Sequence, residues 1–232
     1  MSNLTPRNIE ILKIIVEEFL QTWEVIGSKT LLKKYDLWVS SATVRSDMAT
    51  LENLELIYQP YNSAGRLPTS KWLRAFVNFL MKSTPEHFLS ESGVKVQKND
   101  TKTLEDFIYQ IISELAKKTQ EISFFIVPDD AILQYSGVAH FLQKNHKMLG
   151  ESIFGIIKML EDKNTFTTFI SHLPLNHGVN VFLWEENITP FLHDYSLIVR
   201  PISFNGKIWY IGLIWGLKMN YSFNISAVKG II

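Results

Sequence analysis

Apolar positions recur at helical spacing in three blocks within the first fifty or so residues. After Thr5-Pro6, a capped start with proline at the first helical position, Ile9, Leu12, Val16, Phe19 and Leu20 form one stripe. A second, short helix, SKTLLKKY, begins at Ser28 directly after Gly27. The third follows Ser40 and Ser41, whose hydroxyls can accept from the free N–H groups of a first turn, so that the chain turns helical near Ala42. At ~3.6 residues per turn its Val44, Met48 and Leu51 share one face. The opposite face carries Ala42, Thr43, Arg45, Ser46, Ala49, Thr50 and Asn53. Leu56 to Gln59 then predicts a strand. Asn62 to Arg66 predicts a tight loop closed by Pro68, with Gly65 supplying permissive backbone.

Further on, Trp72, Leu73, Phe76, Val77 and Leu80 mark a helix over Thr69 to Lys82 that packs on the first helix or meets its copy in a partner subunit. Ser83 to Thr103 has no apolar period and reads as a linker, dividing the chain into residues 1–82, 83–103 and 104–232. Leu104 to Lys118 is helical in pattern, Ile122 to Val127 is a run of strand formers ended by Pro128, and Phe154 to Leu160 predicts another helix. From Gly178 the pattern alternates, with Val179, Val181 and Leu183 on one face of a half-buried strand. Leu197 to Phe204 and Lys207 to Trp215 flank Asn205-Gly206, the dipeptide of a two-residue hairpin turn. Asn220 caps a closing helix with Tyr221, Ile225 and Val228. Antiparallel strands with flanking helices make the fold class α+β.

Composition narrows the function classes. The chain has 232 residues and is 46% apolar, enough for one or two ordinary cores. With no cysteine there are no disulfides or thiolate zinc sites, which is compatible with a cytoplasmic address. The longest apolar run, Ile208 to Leu217, is about half the ~20 residues of a membrane helix, so no transmembrane segment is expected. No signal-peptide apolar core follows a basic segment at the N-terminus. Net charge is zero, yet between Ser28 and Lys82 eight Lys and Arg face four acids, a modest basic bias. His140, His146, His172, His177 and His193, with Asp129, Asp130, Glu185 and Glu186, lack the spacing of a metal loop or a metalloprotease helix. No phosphate-cradling glycine loop and no nucleophile elbow occur, so neither an enzyme, a metal nor a cofactor is expected.

The chemistry that does stand out suits duplex DNA. A helix face of small and hydrogen-bonding side chains with one guanidinium can lie close to base edges in a major groove ~12 Å wide. Helix, turn, helix, strand and basic loop in that order fit a winged helix-turn-helix whose third helix reads the groove. Ser41, Thr43, Arg45 and Ser46 are the candidates for base or adjacent phosphate contacts, and Ser28 and Lys29 for positioning the backbone. Arg66 at the tip of the wing, with Asn62, would grip a phosphate or enter the minor groove.

Three runs carry a resemblance: VIGSKTLLKKYDL, SSATVRSDMATLE and QPYNSAGRLPTSK. They closely resemble the N-terminal domain of the HrcA family of heat-inducible transcription repressors. A second block agrees near the far end: GVNVFLWEEN from Gly178, DYSLIV from Asp194 and KMNYSFNISAV from Lys218. The resemblance implies a GAF-like second domain and a homodimer bound to an inverted-repeat operator in double-stranded DNA upstream of chaperone genes. It also implies release on heat stress and dependence on a GroEL-type chaperonin. The family tends to place glycine where this chain has Trp23, Trp38, Glu55 and Trp184, and the chain is too short for the usual inserted dimerisation segment. Trp38 is expected to be a partly buried anchor between helices, the alternative being a stack on a sugar or phosphate. Two other functions remain open at this point: a ligand-sensing GAF-type regulator not tied to heat shock, and a winged-helix module that binds protein.

Overall fold

The computed structural model describes residues 4–22, 24–83, 103–144, 151–183, 186, 192, 195–204, 206–215 and 219–231. It is a mixed α+β chain that divides into two compact units, Met1–Phe79 and Leu80–Ile232. The expected linker falls almost wholly, at 84–102, outside the described residues, as do Trp23, Trp184, Glu185, His146 and His193.

The first unit opens with α1 (Pro6–Thr22), α2 (Ser28–Lys34) and α3 (Ser41–Asn53). Thr5 and Asn8 cap α1 reciprocally: the Asn8 N–H donates to Thr5 Oγ1 at 3.1 Å and the Thr5 N–H to Asn8 Oδ1 at 3.0 Å. The core joins Ile11, Leu12, Ile14 and Ile15 of α1 to Leu31 of α2, to Val44, Met48 and Leu51 of α3, and to Ile26 and Ile57. Leu12, Val16, Phe19 and Leu20 are buried as their period requires, but Ile9 is 53% exposed. The polar Asn8, 3% exposed, takes that face instead, because its side chain has a partner across the core.

After α3 a two-stranded ribbon forms from β1 (Ile57–Tyr58) and β2 (Leu67–Pro68), with Ile57 opposite Pro68 and Tyr58 opposite Leu67. Its return limb also bridges Ile26: the Ile26 N–H donates to Arg66 O at 3.1 Å and the Arg66 N–H to Ile26 O at 2.9 Å. The ribbon is thereby tied to the segment between α1 and α2. Then α4 (Ser70–Ser83) follows, burying Leu73, Phe76 and Val77 and laying Trp72 against the core of α1 to α3.

The second unit contains α5 (Leu104–Thr119), β3 (Ile122–Val127), β4 (Ile132–Ser136), α6 (Val138–Lys144), α7 (Glu151–Glu161), α8 (Lys163–Ser171), β5 (Asn180–Phe182), β6 (Ser196–Phe204), β7 (Lys207–Trp215) and α9 (Tyr221–Lys229). The strands form one antiparallel sheet in the order β4-β3-β7-β6-β5. Phe124, Ile126, Leu197, Val199 and Ile214 pack on α6, α7 and α8 through Phe141, Ile156, Leu160 and Phe166. On the opposite side α5 packs on β3 and β4, and α9 on α5 and β6. Helices on both sides explain why all six residues of β3 are buried. Gly212 lies opposite Phe124, and a Cβ there would come within 2.4 Å of its ring, so the glycine makes room for the aromatic layer.

Several elements differ from expectation. β5 is a three-residue edge strand; Val181 in it and Leu183 just beyond it are buried as the spacing requires, but Asn180 is buried as well, because its amide donates to the Asn176 and Gly178 carbonyls. Asp162 is a cap: its Oδ1 accepts the Thr165 N–H at 3.1 Å and starts α8, which hydrophobic spacing did not announce. The β6–β7 hairpin has Phe204 opposite Lys207, leaving a two-residue turn in which Gly206 has φ +77°. Asn205 lies outside the described residues. Among the described residues no helix is long and apolar enough to cross a membrane.

Candidate nucleic-acid interface

What orients α3 is a charged residue on its inner face. Asp47, 6% exposed, accepts Arg7 Nε at 2.6 Å, Arg7 Nη2 at 3.2 Å and Asn8 Nδ2 at 2.8 Å, so the start of α1 grips the middle of α3. The hydrogen bond to Asp47, and then its charge, raise the Arg7 pKa above its ordinary value. A second clamp sets α2. Glu18 of α1, 5% exposed, accepts from Lys34 Nζ at 2.5 Å and from the Tyr35 hydroxyl. Burial alone pushes the Glu18 carboxyl up, but the hydrogen bonds from Lys34 and Tyr35 and the Lys34 charge outweigh it and leave its pKa lowered. Burial, then the bond to Glu18 and its charge, push the Tyr35 phenol up to about 12.

With Asp47 turned inward, most of the outer face of α3 is as the spacing required: Ala42, Arg45, Ser46, Ala49, Thr50 and Asn53 are exposed, while Thr43 is half-buried. Ser40 is the N-cap; its Oγ accepts the Thr43 N–H at 3.1 Å and lies 2.9 Å from Thr43 Oγ1, so the helix begins one residue before Ala42. Ser28, Ser41 and Arg45 come together from two helices. The Ser28 and Ser41 hydroxyls are 3.3 Å apart, and Arg45 Nε donates to Ser28 Oγ at 3.3 Å. Lys29 is exposed beside Ser28. A cleft of about 380 Å³ opens here, lined by Ser28, Lys29 and Arg45 on the helix side and by Ser63, Gly65 and Arg66 on the ribbon side. Three cations beside one cleft can draw in an anionic backbone.

Two placements correct the sequence reading of the ribbon. Arg66 is not at the tip: it lies on the return limb, where its Nε and Nη2 reach Glu52 Oε2 of α3 at 3.0 and 2.9 Å. Its bridge to Ile26 fixes that position, and its side chain is only 21% exposed. The tip is Tyr61 to Ala64, where Asn62 is exposed, Ser63 has φ +67° and the Ala64 N–H closes the turn on Tyr61 O at 3.0 Å. Gly65 is needed for closeness, not for a left-handed φ, since a Cβ there would meet Ile26 backbone atoms at 2.5 to 2.7 Å.

Trp38 is the other correction. It is 88% exposed, with φ +49°, and is no buried anchor; Leu37 and Val39 on either side pack on the core instead. Glu55 is also left-handed, at φ +57°.

The periodicity reading overlooked Arg7, Asn8, Asp47 and Glu52. One signal was available for Asp47, which lies three residues after Val44 and four before Leu51 and so shares their inward face. A lone charge there requires a buried partner.

In the second unit, Asp129 and Asp130 sit 3.4 and 4.0 Å from Lys207 Nζ, and Glu186 Oε2 accepts the Leu183 N–H at 2.9 Å. Among the described residues no group of three His, Cys, Asp or Glu could hold a metal ion.

The model of the HrcA protein C-terminal domain matches residues 64–225, most of the chain. The chain belongs to the HrcA family. Curated relatives, each named a heat-inducible transcription repressor HrcA, include that of Acidothermus cellulolyticus, 38% identical over 137 residues, which are 59% of this chain and 40% of the relative. The HrcA of Clostridioides difficile is 38% identical over 120 residues, 50% of this chain and 35% of the relative. The matched stretch thus spans less than half the length of these HrcA proteins. A crystal structure of a hypothetical protein shares the fold over 98% of both chains, with a TM-score of 0.71 at 16% identity.

Proposed function

We propose that this HrcA-family chain is a transcription repressor that binds double-stranded DNA through a winged helix-turn-helix formed by residues 1–82. The observation that carries the reading is the outer face of α3. Ala42, Ser46, Ala49 and Thr50 on it are exposed, Ser41 and Thr43 are half-exposed, and its only acid before Glu52 is clamped inward, leaving a surface that can approach base edges without repelling phosphates. Ser41, Thr43, Arg45 and Ser46 contact bases or the adjacent phosphates. Ser28 and Lys29 hold the backbone beside the cleft, and Asn62 reaches from the ribbon tip. Arg66, tied to Glu52, sets the position of the ribbon and adds its charge to the same cleft.

Residues 104–232 serve as a GAF-like regulatory and dimerisation domain, joined through residues 83–103. A homodimer brings two α3 helices to equivalent half-sites, so the operator is an inverted repeat. By the relatives' name, the repression is heat-inducible. The regulated genes are chaperone operons, the compartment is the cytoplasm, and a GroEL-type chaperonin assists the second domain to its active fold. Selection of bound sites from random duplexes tests the reading. Two-fold symmetric sites, bound with an affinity that falls steeply with salt, are expected. Recovery of unsymmetric or no preferred sequence would overturn it.

A further inference from the structure

Two costs coincide at Trp38, and among the described residues of its unit no hydrogen bond or ring contact offsets them. A bulky side chain at φ +49° is strained, and an indole 88% exposed leaves its large apolar surface in water. Nor is the exposure loose. Leu37 and Val39 are both anchored on the core of α1 to α3, and the Leu37 N–H donates to Tyr35 O at 2.9 Å, so the chain on each side of Trp38 is fixed. Two residues later Ser40 caps α3. The left-handed residue therefore presents an aromatic ring from a fixed backbone position at the entrance to the helix proposed above to lie in the groove. A helix that enters a major groove by its N-terminal end passes between the phosphates that border the groove, and a residue just ahead of that end meets the sugar-phosphate backbone, not the bases.

We propose that Trp38 is a DNA-backbone contact, its ring face lying against a deoxyribose and its indole N–H donating to a phosphate oxygen. The proposal rests on the DNA-binding reading. It requires the contact to be indifferent to sequence and to carry no charge. Loss of the ring weakens cognate and scrambled duplexes alike while leaving the salt dependence unchanged, because no counterions are released by an uncharged side chain. Removal of Lys29, by contrast, lowers the salt slope by about one.

The test titrates wild type, Trp38→Phe and Trp38→Gly with duplexes that the wild-type chain selects from random DNA and with a scrambled duplex, at several salt concentrations, and melts each protein. Trp38→Gly is expected to melt at or above wild type, because glycine relieves the strain. It should bind both duplexes about fivefold more weakly with the wild-type salt slope, whereas Trp38→Phe, which keeps a ring but loses the N–H donor, falls between Trp38→Gly and wild type. Wild-type affinity in Trp38→Gly overturns the proposal and leaves DNA binding standing. A lower melting temperature in Trp38→Gly also overturns it, by giving the ring a role in the fold. If wild type selects no DNA at all, the proposal falls together with the reading beneath it.

Discussion

Asp47 of α3 is gripped by Arg7 of α1, two guanidinium nitrogens reaching its two carboxylate oxygens at 2.6 and 3.2 Å. The pair links the first turn of the unit to the middle of the helix that presents Arg45 and Ser46. Asp47→Ala removes an acceptor from Asn8, which is buried, and should destabilise the chain by about 2–3 kcal/mol. Arg7→Ala should cost less, because Asn8 still serves the carboxylate. Thermal melting of both variants checks the order, and equal losses would contradict it.

The clamp on α2 gives stability a pH dependence at both ends. The folded pKa of Glu18 is lowered, so its contribution is present above the ordinary glutamate value and is lost as pH falls through the lower folded one. Tyr35 is raised from 10.0 to about 12, so its contribution is full below pH 10 and disappears as pH rises toward 12. Glu18→Gln should flatten the acid limb of a stability profile measured by denaturant titration. Tyr35→Phe should flatten the alkaline limb and leave the acid limb's direction unchanged. A wild-type alkaline limb in Tyr35→Phe would refute the assignment.

Gly27 and Gly65 both line the cleft but tolerate change differently. A Cβ on Gly65 would strike Ile26 backbone at 2.5 Å, and only a shift of the ribbon relieves it; at Gly27 nothing lies within 4 Å. Gly65→Ala should therefore destabilise by about 1–3 kcal/mol. Gly27→Ala, at an N-cap, should cost no more than about 1 kcal/mol. Chemical denaturation of the two variants separates them, and similar losses would show that the ribbon gives way freely.

Much of this architecture was readable from hydrophobic spacing. Val44, Met48 and Leu51 are buried, α5 begins where Leu104 does, and the two-residue hairpin and the Asn220 cap are both present. Errors arose where a polar side chain outcompeted an apolar one for the interior. Asn8 displaced Ile9 because Asp47 offered it a hydrogen bond across 39 residues of chain, whereas Asn180 is held inside by local bonds to Asn176 and Gly178. Periodicity sums local preferences and cannot contain such long-range pairs. For the candidate interface, residue types on α3 were visible at once. The position of Arg66 was not, because Ile26 and Glu52 decide it, and both are remote in sequence.

Helix α3 ends in a motif that favours glycine but uses Glu55. The Leu56 N–H donates to Leu51 O at 3.0 Å and the Glu55 N–H to Glu52 O at 2.9 Å, with Glu55 left-handed at φ +57° between them. Its carboxylate is exposed, so little packing is lost on removing it. Glu55→Gly should raise stability by about 1 kcal/mol, seen as a higher melting temperature. A lower one would mean that Glu55 makes a compensating interaction.

Arg45 and Arg66 flank one cleft yet should fail in different ways. Arg45 sits on the outer face of α3, and if it reads a base by two hydrogen bonds its replacement by alanine costs ~1–3 kcal/mol on the selected site and relaxes one position of it. Arg66 holds the ribbon to Glu52, so Arg66→Ala should weaken selected and scrambled duplexes alike. Glu52→Ala leaves the Arg66 charge in the cleft while freeing it from α3, and this separates the latch from the charge. If the latch matters, Glu52→Ala weakens binding as Arg66→Ala does; if the charge alone matters, Glu52→Ala strengthens it. Competition titrations with both duplexes decide between these outcomes, and identical behaviour of Arg45→Ala and Arg66→Ala on the two would remove the case for Arg45 as the reader.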